Sequence, residues 1–122
     1  MANAINWFEI PASNLDRAVQ FYAKVFDTEL PISDVMDAKL AFFNVERGEV
    51  GGCIAYGERY KPSDTGTLVY LNGGADLSTP LARVEDAGGK VEMPKTKISD
   101  EVGYMAIIRD TEGNRVAFHS MA

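Results

Sequence analysis

The stretch Leu40–Gly48 (LAFFNVERG) has a counterpart 65 residues further along the chain, at Met105–Gly113 (MAIIRDTEG). In each, an apolar run typical of a strand breaks at a polar turn that contains a glycine, and a second apolar run follows. The starts of two amphipathic segments are related in a similar way, since Asn14-Leu15 is matched by Asp76-Leu77 62 residues later. The repeat predicts two half-size units with one cleft between them.

Around these stretches the pattern indicates alternating strands and helices. Apolar residues recur at helical spacing over 14–26 and 76–87, and Asn14 and Asp76 are residue types that cap helix N-termini. The polar segment 57–66 is typical of a surface linker. Short apolar runs bounded by turns predict strands at 4–10, 30–33, 38–45, 50–56, 67–72, 90–93, 103–109 and 115–121. We therefore expect an α+β fold in one domain, 1–122, with two βαβββ modules (about 4–56 and 67–121) that form a curled mixed sheet around a cleft.

Composition narrows the class of function. The 122 residues suffice for one domain, and the formal charge of −6 with 12 scattered basic residues argues against nucleic acid and anionic membranes as partners. The single cysteine, Cys53, excludes an internal disulfide and fits a reducing compartment. No basic, apolar signal opens the chain, and no run approaches the length of a membrane span, so we expect a cytoplasmic protein. A single histidine, His119, excludes a multi-histidine metal site within one chain.

Three stretches together resemble the glyoxalase, bleomycin-resistance and extradiol-dioxygenase superfamily, whose fold is known as vicinal oxygen chelate. They are the first helix (Asn14–Tyr22, NLDRAVQFY), the end of the second helix (Arg83–Val91, RVEDAGGKV) and the last hairpin turn (Asp110–Arg115, DTEGNR). The resemblance covers nearly the whole chain and implies paired βαβββ modules. It also implies a small-molecule ligand and, as in many members, a homodimer with twofold symmetry.

In the metal-using members of that superfamily, ligands, typically His and Glu, lie on the first and last strands of each module. Carried onto this sequence, those positions are Trp7, Gly52, Val69 and Ala117. None of these side chains can coordinate a hard divalent ion. We therefore expect no metal and no other cofactor, which argues against metal-dependent isomerase or dioxygenase chemistry.

Strand alternation extends the predicted cleft from these positions. It places Glu9 beside Trp7, Tyr56 beside Gly52 and His119 beside Ala117, so that Trp7, Glu9, Tyr56 and His119 are the candidate ligand-binding residues. Each has a plainer interpretation: Trp7 fills the space of the lost metal, Glu9 is an exposed strand-end residue, and His119 is structural. The same alternation turns Cys53 away from the cleft, toward the helix layer, as a buried structural thiol.

Two functions remain open at this point. One is a metal-free small-molecule-binding protein, of which a ligand-sequestering protein is one form, and the mostly apolar and aromatic cleft favours it. The other is a glyoxalase-like lyase or isomerase, or a related enzyme, that uses Glu9 or His119 as an acid-base group. The sequence does not identify the ligand or substrate.

Overall fold

The structure, a computed structural model, describes residues 3–122. The expected α+β fold with two βαβββ modules is confirmed. The first module contains β1 (Trp7–Pro11), α1 (Leu15–Phe26), β2 (Ile32–Val35), β3 (Ala38–Phe42) and β4 (Gly51–Tyr56). The second contains β5 (Tyr70–Asn72), α2 (Ser78–Leu81), β6 (Lys90–Ser99), β7 (Gly103–Arg109) and β8 (Arg115–Ser120).

Each module forms its own four-stranded mixed sheet, and the two sheets have the same topology. The strand orders are β1-β4-β3-β2 and β5-β8-β7-β6. In both sheets the first and last strands of the module pair in parallel, which brings Glu9 opposite Cys53 and Tyr70 opposite Ala117. The remaining pairs are antiparallel. This repetition is the structural form of the sequence repeat.

Helix α1 forms as its residue pattern predicts. The Asn14 side chain accepts a hydrogen bond from the backbone N–H of Arg17 at 3.1 Å, which caps the helix N-terminus. Leu15, Ala18, Phe21, Tyr22 and Val25 share its buried face. The helix ends where Asp27 adopts the left-handed conformation with φ of 50°.

The second helix is much shorter than the predicted 76–87. Only Ser78–Leu81 is α-helical, and the chain continues as turns to residue 88. Several of its hydrogen bonds span three residues rather than four, as from Arg83 to the carbonyl of Pro80 and from Val84 to that of Leu81. Val84 is nevertheless fully buried, so the segment packs its apolar face without helical regularity.

One buried cluster draws side chains from both modules and from both helical segments. Phe8, Ile10, Ile54, Leu71 and Phe118 contribute the sheet faces that point toward the helices. The opposite sheet faces carry the exposed aromatic residues that define the candidate site.

No helix among residues 3–122 is long and apolar enough to cross a membrane.

The turn between β7 and β8 joins the second module to helix α1 of the first. Glu112 of this turn, whose side chain is fully buried, accepts hydrogen bonds from the backbone N–H groups of Ser13 and Asn14 and from the Arg17 guanidinium, at 2.7–3.1 Å. The buried Tyr22 hydroxyl donates to Asp110 at 2.7 Å. These contacts fix the modules to each other on the helix side.

Candidate functional site

The half-exposed indole of Trp7 and the carboxylate of Glu9 lie on the face of the first sheet that points away from the helices. The neighbouring β1 residues Phe8 and Ile10 pack into the core instead, so the alternation of faces predicted from the sequence holds on this strand. Trp7 is 45% exposed and contacts Phe42 of β3, with ring centroids 6.0 Å apart. The first module therefore presents an aromatic surface beside a carboxylate.

Cys53 lies on this same face, which corrects the expectation that its side chain points to the helix layer. Its Sγ is 3.8 Å from Glu9 Oε2, and its side chain packs with Leu40 and Ala55 in a small buried cluster. Gly52 instead has the helix-facing position, since a Cβ there would lie 2.4 Å from the Phe8 ring. Burial and the nearby charge of Glu9 raise the pKa of the Cys53 thiol to about 12. Cys53 is thus an inert thiol in the wall of the site.

Tyr60, which sequence reasoning missed, completes the arrangement. It comes from the segment 57–66, and its hydroxyl donates a hydrogen bond to Glu9 Oε1 at 2.8 Å. This bond raises the pKa of Tyr60, because ionisation would place two negative charges side by side. The ring packs on the cluster of Leu40, Cys53 and Ala55, so the linker folds back over the sheet face. A lone aromatic residue in a polar linker was the only signal for it in the sequence.

Tyr56 does not join this group. It is at the end of β4, one residue beyond Ala55 of the small cluster, and it lines a depression of about 480 Å³ with Ile32, Lys39 and the residues that start helix α1. The face of β4 that carries Tyr56 is therefore the one that carries Gly52 and Ile54, not Cys53. The structure separates Tyr56 from Trp7 and Glu9, and its expected position beside them was wrong.

His119 lines a separate, larger cavity on the second module. The cavity has a volume of about 620 Å³ and is lined by Tyr70, Leu71, Asn72, Ile98, Val102, Met105 and His119. The Nε2 of His119 lies 2.5 Å from the backbone carbonyl of Val102. Because a carbonyl only accepts, Nε2 carries the hydrogen, and in the neutral ring Nδ1 is left as the acceptor. The lining of this cavity is thus mainly apolar, and its polar members are His119, Asn72 and the hydroxyl of Tyr70.

The four inferred metal-ligand positions do not form a metal site. Ala117 faces the cavity side of its sheet, opposite Tyr70, whereas Val69 packs against the core and Gly52 against Phe8. In the part of the chain that the structure describes, no three His, Cys, Asp or Glu side chains are grouped to hold an ion. The residues present therefore do not fit the metal of the catalytic members of the superfamily.

The fold and these sheet faces define a class of protein with paired βαβββ modules and an aromatic surface on the open side of each sheet. The sequence model of the Glyoxalase/Bleomycin resistance protein/Dioxygenase superfamily matches residues 4–118, and the chain belongs to that superfamily. This confirms the family resemblance inferred from the three motifs. No curated protein sequence matches the chain at a significant level.

Solved structures of the same fold include enzymes and a binding protein. Glyoxalase I from Zea mays is 19–20% identical, with TM-scores of 0.69–0.72, over 97% of this chain but only 44–45% of the maize protein. TnmS3, an antibiotic-binding protein from Streptomyces sp. CB03234, is 18% identical over 98% of this chain and 97% of its own, with a TM-score of 0.69. An enzyme of the superfamily from Burkholderia phytofirmans PsJN is 13% identical, with a TM-score of 0.67. The chain thus spans less than half of the maize enzyme and nearly all of TnmS3.

Proposed function

We propose that this protein binds a small, largely apolar organic molecule on the open faces of its sheets without the help of a metal ion, and that it sequesters this molecule. The observation that carries the proposal is the half-exposed Trp7 beside the Glu9–Tyr60 hydrogen bond, on a sheet face backed by buried apolar residues. Ligand sites commonly combine an apolar, aromatic lining with a few placed polar groups. The structural match to an antibiotic-binding protein over nearly the full length of both chains supports a binding role.

We also propose that the complete site is formed by two copies of the chain in a twofold homodimer. Within one chain, Trp7 and Glu9 lie on the first module and His119 on the second, and their hydrogen bonds go to Tyr60 and Val102 rather than to each other. Both open faces expose large apolar side chains, which include Trp7 at 45% and Tyr70 at 50%. Stacking the first module of one copy on the second module of another would cover both. Sedimentation equilibrium of the purified protein measures the state directly, and a monomer at micromolar concentration would exclude the composite site.

The experiment that tests binding starts from the protein as purified. Native mass spectrometry looks for a co-purified small molecule, and titration of that molecule into stripped protein follows the fluorescence of Trp7, the only tryptophan. A binder gives a saturable change in fluorescence and leaves the ligand chemically unchanged. If no compound co-purifies and none of a panel of aromatic compounds changes the fluorescence of Trp7, the binding function is refuted.

The alternative is a glyoxalase-like lyase or isomerase, or a related enzyme, with Glu9 or His119 as an acid-base group. One observation favours it, namely that the hydrogen bond to Val102 leaves Nδ1 of His119 as the basic nitrogen in an apolar cavity. The replacements Glu9→Gln and His119→Gln separate the two functions. In an enzyme, one of them abolishes conversion of the ligand while its binding persists. In a binder no conversion exists, and only affinity changes.

The proposed location is the cytoplasm. The lone Cys53 is a buried, unpaired thiol, which suits a reducing compartment. Fractionation of cells that produce the native protein would test this location.

A further inference from the structure

From the geometry around Glu9 we infer that this part of the first module is a subsite for a protonated amine attached to an aromatic or other apolar group. The inference rests on the proposed binding function and assigns the chemical class of its ligand. It adds Tyr60 as the residue that positions the carboxylate. The sequence repeat gave no signal for Tyr60. In the second module the paired positions that correspond to Glu9 and Cys53 are Tyr70 and Ala117, so no second carboxylate marks such a site.

Glu9 has no cationic partner among residues 3–122. The ion pairs in this range use other carboxylates, such as Asp34, Asp64 and Glu112, and none involves Glu9. Its Oε1 accepts the Tyr60 hydroxyl at 2.8 Å, but within the described part of the chain its Oε2 has only the weak thiol donor of Cys53, at 3.8 Å. One carboxylate oxygen therefore keeps most of its capacity to accept hydrogen bonds.

Only a group that donates hydrogen bonds can fill that capacity. A carboxylate accepts and does not donate, and the Tyr60 hydroxyl hydrogen is already used in the bond to Glu9 Oε1, so the Tyr60 oxygen and the free Glu9 Oε2 both face a ligand as acceptors. An ammonium group has only donors and the opposite charge, whereas a ligand carboxylate would be repelled. The exposed Trp7 indole adds a surface that attracts cations and packs against an aromatic body.

The surroundings of Glu9 and Tyr60 strengthen their interaction with an ammonium group. Glu9 and Tyr60 lie over the buried cluster of Leu40, Cys53 and Ala55, so one side of the pair is shielded from water. A ligand that covers the other side would remove more water and make the charge-assisted hydrogen bonds stronger. The formal charge of −6 also steers cations to the protein.

Tyr60 holds the carboxylate in place and reports on its charge. The hydrogen bond to Glu9 raises the pKa of Tyr60, so a cation that compensates Glu9 reduces the charge repulsion that opposes ionisation of the phenol. Binding of a permanent cation such as the trimethylated form of 2-phenylethylamine, which stays charged at the high pH where tyrosine ionises, should therefore shift the titration of one tyrosine to lower pH. A merely structural tyrosine would not respond in this way.

The test uses three probes of similar shape: 2-phenylethylamine as its ammonium ion, neutral 2-phenylethanol, and the anion 3-phenylpropanoate. The protein contains a single tryptophan, so its one indole N–H resonance in a ¹⁵N–¹H spectrum follows the site. We expect the ammonium probe to bind about 10-fold or more tightly than the alcohol, and the anion to bind most weakly. Glu9→Gln should reduce ammonium binding by about 10- to 100-fold and leave alcohol binding within about twofold.

The matched control is Glu29→Gln, which removes the same charge from an exposed residue outside the site and should leave all three affinities within about twofold. Tyr60→Phe should weaken ammonium binding and abolish the ligand-dependent tyrosine titration. If Glu29→Gln acts like Glu9→Gln, or if the alcohol binds as tightly as the ammonium ion, the amine subsite is refuted while binding stands. If none of the probes moves the indole resonance, this face is not a ligand site, and both the subsite and the proposed function based on it fall.

Discussion

Replacing Glu112 by Gln tests whether its buried carboxylate holds the two modules together. Burial opposes ionisation of Glu112, but hydrogen bonds from Arg17, the Asn14 backbone, Thr111 and Ser13 outweigh it and lower the pKa from 4.5 to about 2. At about 1.4 kcal/mol per pKa unit, this difference corresponds to about 3 kcal/mol of folding free energy at neutral pH. Glutamine keeps the shape and one acceptor oxygen, so we expect Glu112→Gln to lower the free energy of unfolding by about 2–3 kcal/mol at pH 7.

The sign of the pH dependence follows from the lowered pKa. A carboxylate whose pKa is lower in the folded state stabilises the protein above its unfolded pKa, and that stability is lost as the pH falls from about 4.5 toward 2. The unfolding free energies of the wild type and Glu112→Gln should therefore converge over this range. Arg17→Met should lower the free energy of unfolding by less than Glu112→Gln does. The Arg17 side chain is half exposed, and the backbone N–H groups of Ser13 and Asn14 still donate hydrogen bonds to Glu112.

Urea unfolding at pH 7 and pH 3, followed by far-ultraviolet circular dichroism, measures these differences. Glu29→Gln provides the control, because it removes the same charge from an exposed residue and should change stability by less than about 0.5 kcal/mol. A loss of the same small size for Glu112→Gln at pH 7, or a difference from wild type that does not shrink in acid, would refute the role of Glu112.

Three further predictions concern the wall of the site and its metal content. With a pKa of about 12 against an ordinary 9.0, the thiolate fraction of Cys53 at pH 8 is about 1000-fold lower than in the unfolded chain. Burial also blocks access to the sulfur, so a disulfide reagent should label the native protein much more slowly than the unfolded one, and rapid stoichiometric labelling would contradict its burial. Gly52→Ala should lower the free energy of unfolding by about 1–3 kcal/mol, because the new Cβ would meet the Phe8 ring at 2.4 Å. Gly51→Ala, with a nearest contact of 3.0 Å, should lower it less, and thermal unfolding of both variants measures the difference. Elemental analysis of dialysed, tag-free protein should find well under one equivalent of Ni, Zn or Fe, and a retained equivalent would show that the metal positions were misplaced.

The sequence predicted the fold well because its signals are local and periodic. Asn14 and the apolar face that follows it define α1, and the repeated turns define the strand pairs. The least accurate element bounds were those of the second helix, which is irregular, and of β6, which runs to Ser99 rather than stopping at residue 93. Strand β6 continues past Pro94 through register shifts, and proline in a strand is tolerated at such bulges.

The candidate site was only partly predictable. Alternation on β1 gave the correct face for Trp7 and Glu9, but on β4 it was one residue out of step. The adjacent Gly51 and Gly52 carry no side chain to mark which face of β4 is apolar. The 65-residue offset between the repeats therefore assigned Cys53 to the helix side, whereas it lies beside Glu9. Tyr60 is 51 residues from Glu9 in sequence, and a contact over that distance leaves no periodic trace.

The hydrogen bonds from the start of α1 to Glu112 also bear on how the chain folds. They join residues 95–99 positions apart, so the first helix acquires its stabilising anion only when the last hairpin has formed. The two βαβββ units, although alike in topology, therefore depend on each other. The first half alone, without residue 112, would leave the N-terminus of α1 uncapped by this carboxylate and expose the face that buries Tyr22. Cooperative folding across the repeat is the consequence, with closure of a loop of 95–99 of the 122 residues.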